Sequence, residues 1–322
     1  MAKARSPFAG LSYFFCLLFF KLTRMLPLFV VRRLGCFLGD LAYMLIPRLK
    51  RIGFSNLDIA YGDSLSFQAK KKILRGAVRN LGIVAAEFSR IPLVVAGKLK
   101  DQISVEGLEH AQESDKAVFL AAHHSNWEWM PPTASLLGLK TAVIIRPLNN
   151  PFLDKLVDRL RISGGTITIT KDGAIQEMLS MIEKGVHPSM LADQGPRDGA
   201  VPVHFFGSPA WGSIGPALIA MKAGVPVVPG SMARNAEGKY SLRFYPKVIM
   251  QDSGNFLEDL LENTQRCQDA LEAIIRAHPE QWLWFHRRWR KRERLEKEWQ
   301  MRLERPLEKL DFKQQPLPKE NS

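Results

Sequence analysis

A chain of 322 residues is long enough to bury one large core or two modest ones, and 46% hydrophobic with 24% charged residues excludes a disordered polymer. A formal net charge of +13 suits a polyanionic partner: nucleic acid, a phosphorylated lipid, an anionic membrane surface or an acidic carrier protein. Cys16, Cys36 and Cys267 lie far apart with no paired spacing, which argues against a disulfide framework and against a zinc site.

Residues 1–46 differ in character from the rest. No acidic residue precedes Asp40, and Lys3, Arg5, Lys21, Arg24, Arg32 and Arg33 punctuate an apolar, aromatic text. A spanning helix wants about 20 apolar residues, and residues 11–31 reach that length only by including Lys21. Two forms of membrane attachment are open: one span whose cations snorkel, or a helix lying in the headgroup plane. No small-residue cleavage site comes after the apolar stretch, which argues against a cleaved signal peptide.

Residues 47–100 read as mainly helical and link this segment to the remainder of the chain. From about residue 101 strand and helix patterns alternate. Strands are predicted at 117–122, 141–146, 166–170, 189–192, 225–233 and 241–245, with helices at 150–161, 173–184, 215–223 and 257–277. The fold class expected is α/β, a partly parallel central sheet flanked by helices, with an N-terminal membrane-associated helical segment. That domain is expected to end near residue 290, and residues 291–322 read as a charged C-terminal tail. G-x-G-x-x-G, P-loop and H-E-x-x-H patterns are all absent, so dinucleotide, nucleoside triphosphate and zincin chemistry lose their anchors.

The stretch "AAHHSNWEWM" (121–130) ends the first of the predicted strands. Ligands of open α/β sheets gather at the carboxyl ends of strands, which is where His123 and His124 fall. Ser125 and Glu128 fit the S-x-x-E capping box, so a helix is expected to start at Ser125 with Glu128 in its first turn. A carboxylate there could hold the tautomer of a histidine in the preceding turn, leaving the other ring nitrogen as a general base. The pattern by itself does not choose between His123 and His124.

His123 and Glu128 together resemble the H-x4-D/E signature of the lysophospholipid acyltransferase superfamily. "RPLNNPFLDKLVDRLR" (146–161), "LADQGPRDGAVPVHFFG" (191–207), "GPALIAMKAGVPVVP" (215–229) and "HPEQWLWFHRRW" (278–289) are similar to the bacterial lipid A biosynthesis lauroyl/myristoyl acyltransferase family. The likeness covers nearly the whole chain except the last thirty or so residues. It implies an acyltransferase that moves a fatty acyl chain from acyl carrier protein to a hydroxyl of a lipid A precursor at the cytoplasmic side of the cell inner membrane. It also favours His123 over His124 as the general base, oriented by Glu128. A thioester is already activated, so no covalent nucleophile is needed, and no cysteine or G-x-S-x-G lies near His123; no cysteine or further carboxylate at ligand spacing supports a metal, and no cofactor is expected.

Arg146 matches the family's second motif, where it would grip a phosphate or other anionic group. Asp193 and Gln194 would line the site or order the loop after them, with Arg197 as a further anion contact. Trp282, Trp284 and Trp289, beside Arg287, Arg288, Arg290, Lys291 and Arg292, suit a headgroup-level surface facing anionic lipid, or the acidic face of a carrier protein. A nucleic acid partner is set aside, since no RNA- or DNA-binding motif accompanies them. Two alternatives stay open: another glycolipid or an aminolipid as acceptor, and a non-catalytic protein that binds anionic membranes.

Overall fold

The computed structural model describes residues 9–170 and 173–303. It opens with four helices: α1 (Ala9–Met25), α2 (Leu28–Leu45), α3 (Pro47–Tyr61) and α4 (Phe67–Glu87). Pro27 stands at the break before α2, and Pro47 opens α3, where a missing N–H costs nothing. Ser66 caps α4 by accepting the Ala69 N–H. Helices α2 and α4 pack backbone to backbone. A Cβ on Gly35 would lie 2.8 Å from the Gly82 carbonyl oxygen, and one on Gly82 would come closer still to the Gly35 oxygen. Only glycine at both positions permits that approach.

A single-span anchor would need one continuous apolar helix. The chain instead divides between α1 and α2, and among the described residues no helix is long and apolar enough to cross a membrane. Phe14, Phe15, Met25, Phe29, Phe37 and Met44 are exposed on these two helices.

After α5 (Ile91–Val95) the chain enters the α/β part. In order it forms β1 (Ile103–Glu106), α6 (Leu108–Gln112), β2 (Val118–Ala121), α7 (Met130–Leu136), β3 (Thr141–Ile145), α8 (Pro151–Ser163) and β4 (Ile167–Thr170). Then come α9 (Ala174–Glu183), β5 (His187–Leu191), a hairpin of β6 (Ala200–Phe205) and β7 (Ser208–Ser213), α10 (Gly215–Ala223), β8 (Val227–Arg234), β9 (Tyr240–Phe244), α11 (Phe256–Ala277) and α12 (Glu293–Leu303). The main sheet has seven strands in the order β1-β9-β8-β2-β5-β3-β4. From β8 to β4 all neighbours are parallel; β9 runs antiparallel to β8, and β1 runs parallel to β9. The mixed α/β fold with a mostly parallel sheet is therefore as expected.

Every residue of β2 is buried because helices cover both faces of the sheet. Val118 and Leu120 point into the layer that holds Met178, Leu218 and Leu271, while Phe119 points into the layer that holds Trp129, Ala134 and Tyr240. Strand β1 and the β6–β7 hairpin were not anticipated. The four residues of β1 are largely exposed and carry little hydrophobic pattern, and β6 interrupts its alternation with Pro202.

Candidate active site

Two parallel neighbours, β2 and β5, build the centre. Their register pairs Ala121 with Leu191, and the Ala192 N–H donates to the Ala121 carbonyl. The residues two steps beyond that pair, His123 and Asp193, therefore emerge side by side. His123 Nδ1 lies 2.8 Å from Asp193 Oδ1, and Trp282 donates its indole Nε1–H to Asp193 Oδ2 at 2.7 Å. Asp193 is fully buried, whereas the His123 side chain keeps 24% of its surface exposed. A carboxylate can only accept, so Nδ1 carries the proton and the lone pair is left on Nε2. The Trp127 ring packs edge-on against the imidazole at 5.3 Å.

Burial works against a charged His123, but the charge and hydrogen bond of Asp193 outweigh it, and the imidazole pKa lies above the ordinary histidine value. Burial likewise disfavours an ionised Asp193. Its contacts with His123 and Trp282 prevail and hold its carboxyl below the usual carboxylate range.

The carboxylate on His123 was expected to be Glu128; geometrically it is Asp193. Glu128 instead forms a two-pronged pair with Arg161 of α8, Nε to Oε2 at 3.0 Å and Nη2 to Oε1 at 2.6 Å, and accepts from Trp127 Nε1 at 3.2 Å. The expected capping box does not form either. Ser125 has φ of 52°, its hydroxyl is buried without a partner among the described residues, and the next turn is a short 3-10 helix at Trp127–Trp129 preceded by Asn126. The Glu128 carboxylate is held by Arg161 and Trp127, and its hydrogen bonds go there rather than to His123. The charges of Glu128 and Arg161 still reach His123, the first favouring its protonated form and the second opposing it.

The two imidazoles have separate surroundings. His124 is 2% exposed, donates from Nε2 to the His278 carbonyl at 3.0 Å, and joins Trp282 in a short antiparallel bridge. Burial pushes its pKa down to about 4. It is a neutral core histidine turned away from the opening. His286, to which the sequence assigned no role, lies within electrostatic reach of both His123 and Asp193, and burial lowers its pKa to about 4.

Among the described residues, the remaining predicted residues make no hydrogen bond to His123 or Asp193. Arg146 is exposed just past β3, on the same edge of the sheet as His123 and Asp193 because β2, β5 and β3 are parallel. Gln194 is half-buried and Arg197 exposed on the loop that leaves Asp193. Arg161 and Trp282 were missed as site residues, although both lie inside quoted motifs.

The expectation for the tryptophans is corrected. Trp282 and Trp284 are buried at 1% and 0%, packed edge to face with ring centroids 4.7 Å apart. Trp289 packs against Phe205, and Arg288 is buried with its guanidinium 4.5 Å over the same ring, donating to the Trp211 carbonyl and Gln268 Oε1. An aromatic core under the site, not a lipid-facing belt, occupies these residues. Among the described residues no group of three or more His, Cys, Asp or Glu side chains is arranged to hold a metal.

The sequence that builds this site matches, over residues 2–291, the family described as Bacterial lipid A biosynthesis acyltransferase. The chain belongs to that family. It is 27% identical to the lipid A biosynthesis lauroyltransferase of Escherichia coli K12, over 83% of this chain and 87% of that protein. It is 26% identical to a lipid A biosynthesis acyltransferase of Haemophilus influenzae over 58% of each chain. The lipid A biosynthesis palmitoleoyltransferase of E. coli K12 is 23% identical over 83% of this chain and 87% of its own. Among solved structures, the lysophosphatidic acid acyltransferase PlsC of Thermotoga maritima aligns with 75% of this chain and 98% of its own at 16% identity. The TM-score of that alignment is 0.33. This acyltransferase thus combines family membership with an imidazole, backed by a buried carboxylate, at the open edge of its sheet.

Proposed function

We propose that this acyltransferase moves a fatty acyl group from an acyl carrier protein thioester to a hydroxyl of a lipid A precursor at the cytoplasmic face of the inner membrane, with His123 as general base. The observation that carries this reading is the Trp282–Asp193–His123 chain, which commits Nδ1 to a buried carboxylate and leaves Nε2 with no hydrogen-bond partner among the described residues. The names of the relatives, among them a lauroyltransferase and a palmitoleoyltransferase of lipid A biosynthesis, support the reaction class and the acceptor.

A lipid hydroxyl is too weak an acid to ionise near neutral pH, so a base must take its proton as the oxygen attacks. His123 Nε2 accepts that proton while the hydroxyl oxygen bonds to the thioester carbonyl carbon. Asp193 stabilises the imidazolium that forms. The tetrahedral intermediate then collapses, the C–S bond breaks, and the departing thiolate recovers the proton from Nε2. No covalent acyl-enzyme is needed, and Cys267, the cysteine of the α/β part, is buried in α11 with its thiol pushed up to about 12. Arg161, gripped by Glu128 and 27% exposed at its side chain, and Arg146 and Arg197 on the rim would meet anionic groups of donor or acceptor. The apolar faces of α1 and α2 would rest on the bilayer that holds the acceptor.

Turnover with carrier protein thioesters and a tetra-acylated lipid A precursor, read by product mass, tests the reading. His123→Ala should lower kcat by about 10²–10⁴-fold. The base works only when neutral, so the rate should rise with pH through a limb above the ordinary histidine value. Asp193→Asn should lower the rate and move that limb to lower pH, because the group that raises the imidazole pKa is gone. Wild-type turnover by His123→Ala would sink the proposal. Transfer to a different lipid, with the same dependence on His123, would keep the chemistry and change the acceptor.

A further inference from the structure

One buried carboxylate outside this chain is unexplained by it. Glu87, the last residue of α4, has a fully buried side chain. Its Oε1 accepts from Arg32 Nε of α2 at 2.7 Å. Its Oε2 accepts from the Tyr240 hydroxyl of β9 at 2.6 Å and from Asn126 Nδ2 at 2.7 Å. Its backbone carbonyl accepts from the Trp129 indole at 3.2 Å. Asn126 precedes and Trp129 ends the short 3-10 turn that follows His123, so a single residue grips that turn at both ends.

The turn has reason to need gripping. Ser125 sits in the left-handed region at φ 52°, a conformation that L side chains rarely adopt and that persists only where surroundings impose it. Its N–H donates to the Gln281 carbonyl, and Asn80 Nδ2 donates to its carbonyl at 3.1 Å. Asn126, completely buried, is the next residue, and its only side-chain hydrogen bond among the described residues is the one to Glu87. A buried ion pair is weak evidence of stability for its own sake.

We infer that Glu87 and Asn126 are positioning residues: the Glu87–Asn126 hydrogen bond sets the left-handed turn that presents His123 to Asp193 and to substrate. The inference rests on His123 being the general base. Arg32 extends the same link to α2, so the N-terminal helical pair is joined to the turn by two consecutive hydrogen bonds through one carboxylate.

The test compares two variants that each remove one donor from the same oxygen, Glu87 Oε2. Asn126→Ala releases the turn; Tyr240→Phe leaves the turn anchored. Turnover, KM for donor and acceptor, the acid limb of the pH profile and the melting temperature are read for both, alongside wild type and His123→Ala. The ionisable groups around His123 are Asp193, Glu128, Arg161 and His286, and none is altered. Asn126→Ala should lose about 10–100-fold in kcat with KM nearly unchanged, the scale of an ångström-sized misplacement. Its acid limb should move to lower pH as His123 drifts from Asp193. Tyr240→Phe should melt earlier yet keep wild-type kcat. If Asn126→Ala does not fold, Asn126→Ser takes its place with the same readouts. Wild-type kcat in the Asn126 variant, or a loss that only tracks its melting temperature with an unmoved limb, overturns the inference. That result together with an inactive His123→Ala would fell the positioning role alone, whereas an active His123→Ala would fell the general base itself.

Discussion

His123 and His124 are adjacent in the chain and opposite in circumstance. A strand end alternates its side chains, so one imidazole turns to the opening and the other into the core. His124 has its pKa pushed down to about 4 by burial and stays neutral in the folded protein at neutral pH. In the unfolded chain it takes up a proton near pH 6.5, so below that value the unfolded state binds more protons and folding stability falls as pH falls. The loss accumulates between about pH 6.5 and pH 4 and amounts to about 3 kcal/mol at most from this one group. Urea unfolding at a series of pH values should therefore give a flatter dependence over that window for His124→Gln than for wild type, even though the variant starts less stable. An unchanged slope would mean that His124 is not held neutral by its site.

Among the elements, the α2–α4 pair has the tightest constraint. Gly35 and Gly82 bring the two backbones together, and the same pair of helices supplies Arg32 and Glu87. Gly35→Val has nowhere to put its methyl groups, since the neighbouring atoms are backbone and cannot rotate aside. It should destabilise the protein by about 1–3 kcal/mol or more, seen as a lower urea midpoint. A Cβ added to Gly10 of α1 would meet nothing within 4 Å, so Gly10→Ala should be neutral or slightly stabilising, as helix propensity dictates. If both variants unfold alike, the close approach of α2 and α4 is not what Gly35 serves.

On the scale of the whole molecule, the helices that carry the exposed apolar face are tied both to the turn before α5 and to the α/β part. Arg90 donates to the carbonyls of Thr23 and Leu26 at the end of α1, and the Thr23 hydroxyl meets that of Ser89 at 2.9 Å. Asn150, which caps α8, reaches back to the Ala9 carbonyl and Ser12. Such a face, flanked by Lys21, Arg24 and Arg33, fits attachment in the headgroup plane of an anionic bilayer. Co-sedimentation should be stronger with anionic than with neutral vesicles and weaken with salt. Phe14→Ser with Phe15→Ser should lower the partition by about 10²–10⁴-fold, given about 1.5–3 kcal/mol for each buried aromatic side chain. Binding that ignored both substitutions would place the lipid contact elsewhere.

Local pattern was enough for the elements whose residues face a single environment. The apolar run of β2, the helical spacing of α8 to α11 and the shift to an apolar, cation-dotted text before Asp40 were all readable, because burial on one face or on two leaves a period in the chain. The motifs around His123 likewise pointed to the right family. What the sequence could not decide was which groups meet across the fold. That Asp193 rather than Glu128 bonds to His123 comes from the Ala121–Leu191 register of two strands separated by some seventy residues, and register has no local signature. Trp282 and Arg288, with the composition of a lipid-facing surface, are core residues because an aromatic cluster from distant elements closes over them. Glu87, Arg32 and Asn126 stand in three different elements and carry no motif together. Periodicity records what each residue is buried from; only packing in three dimensions records what it is buried against.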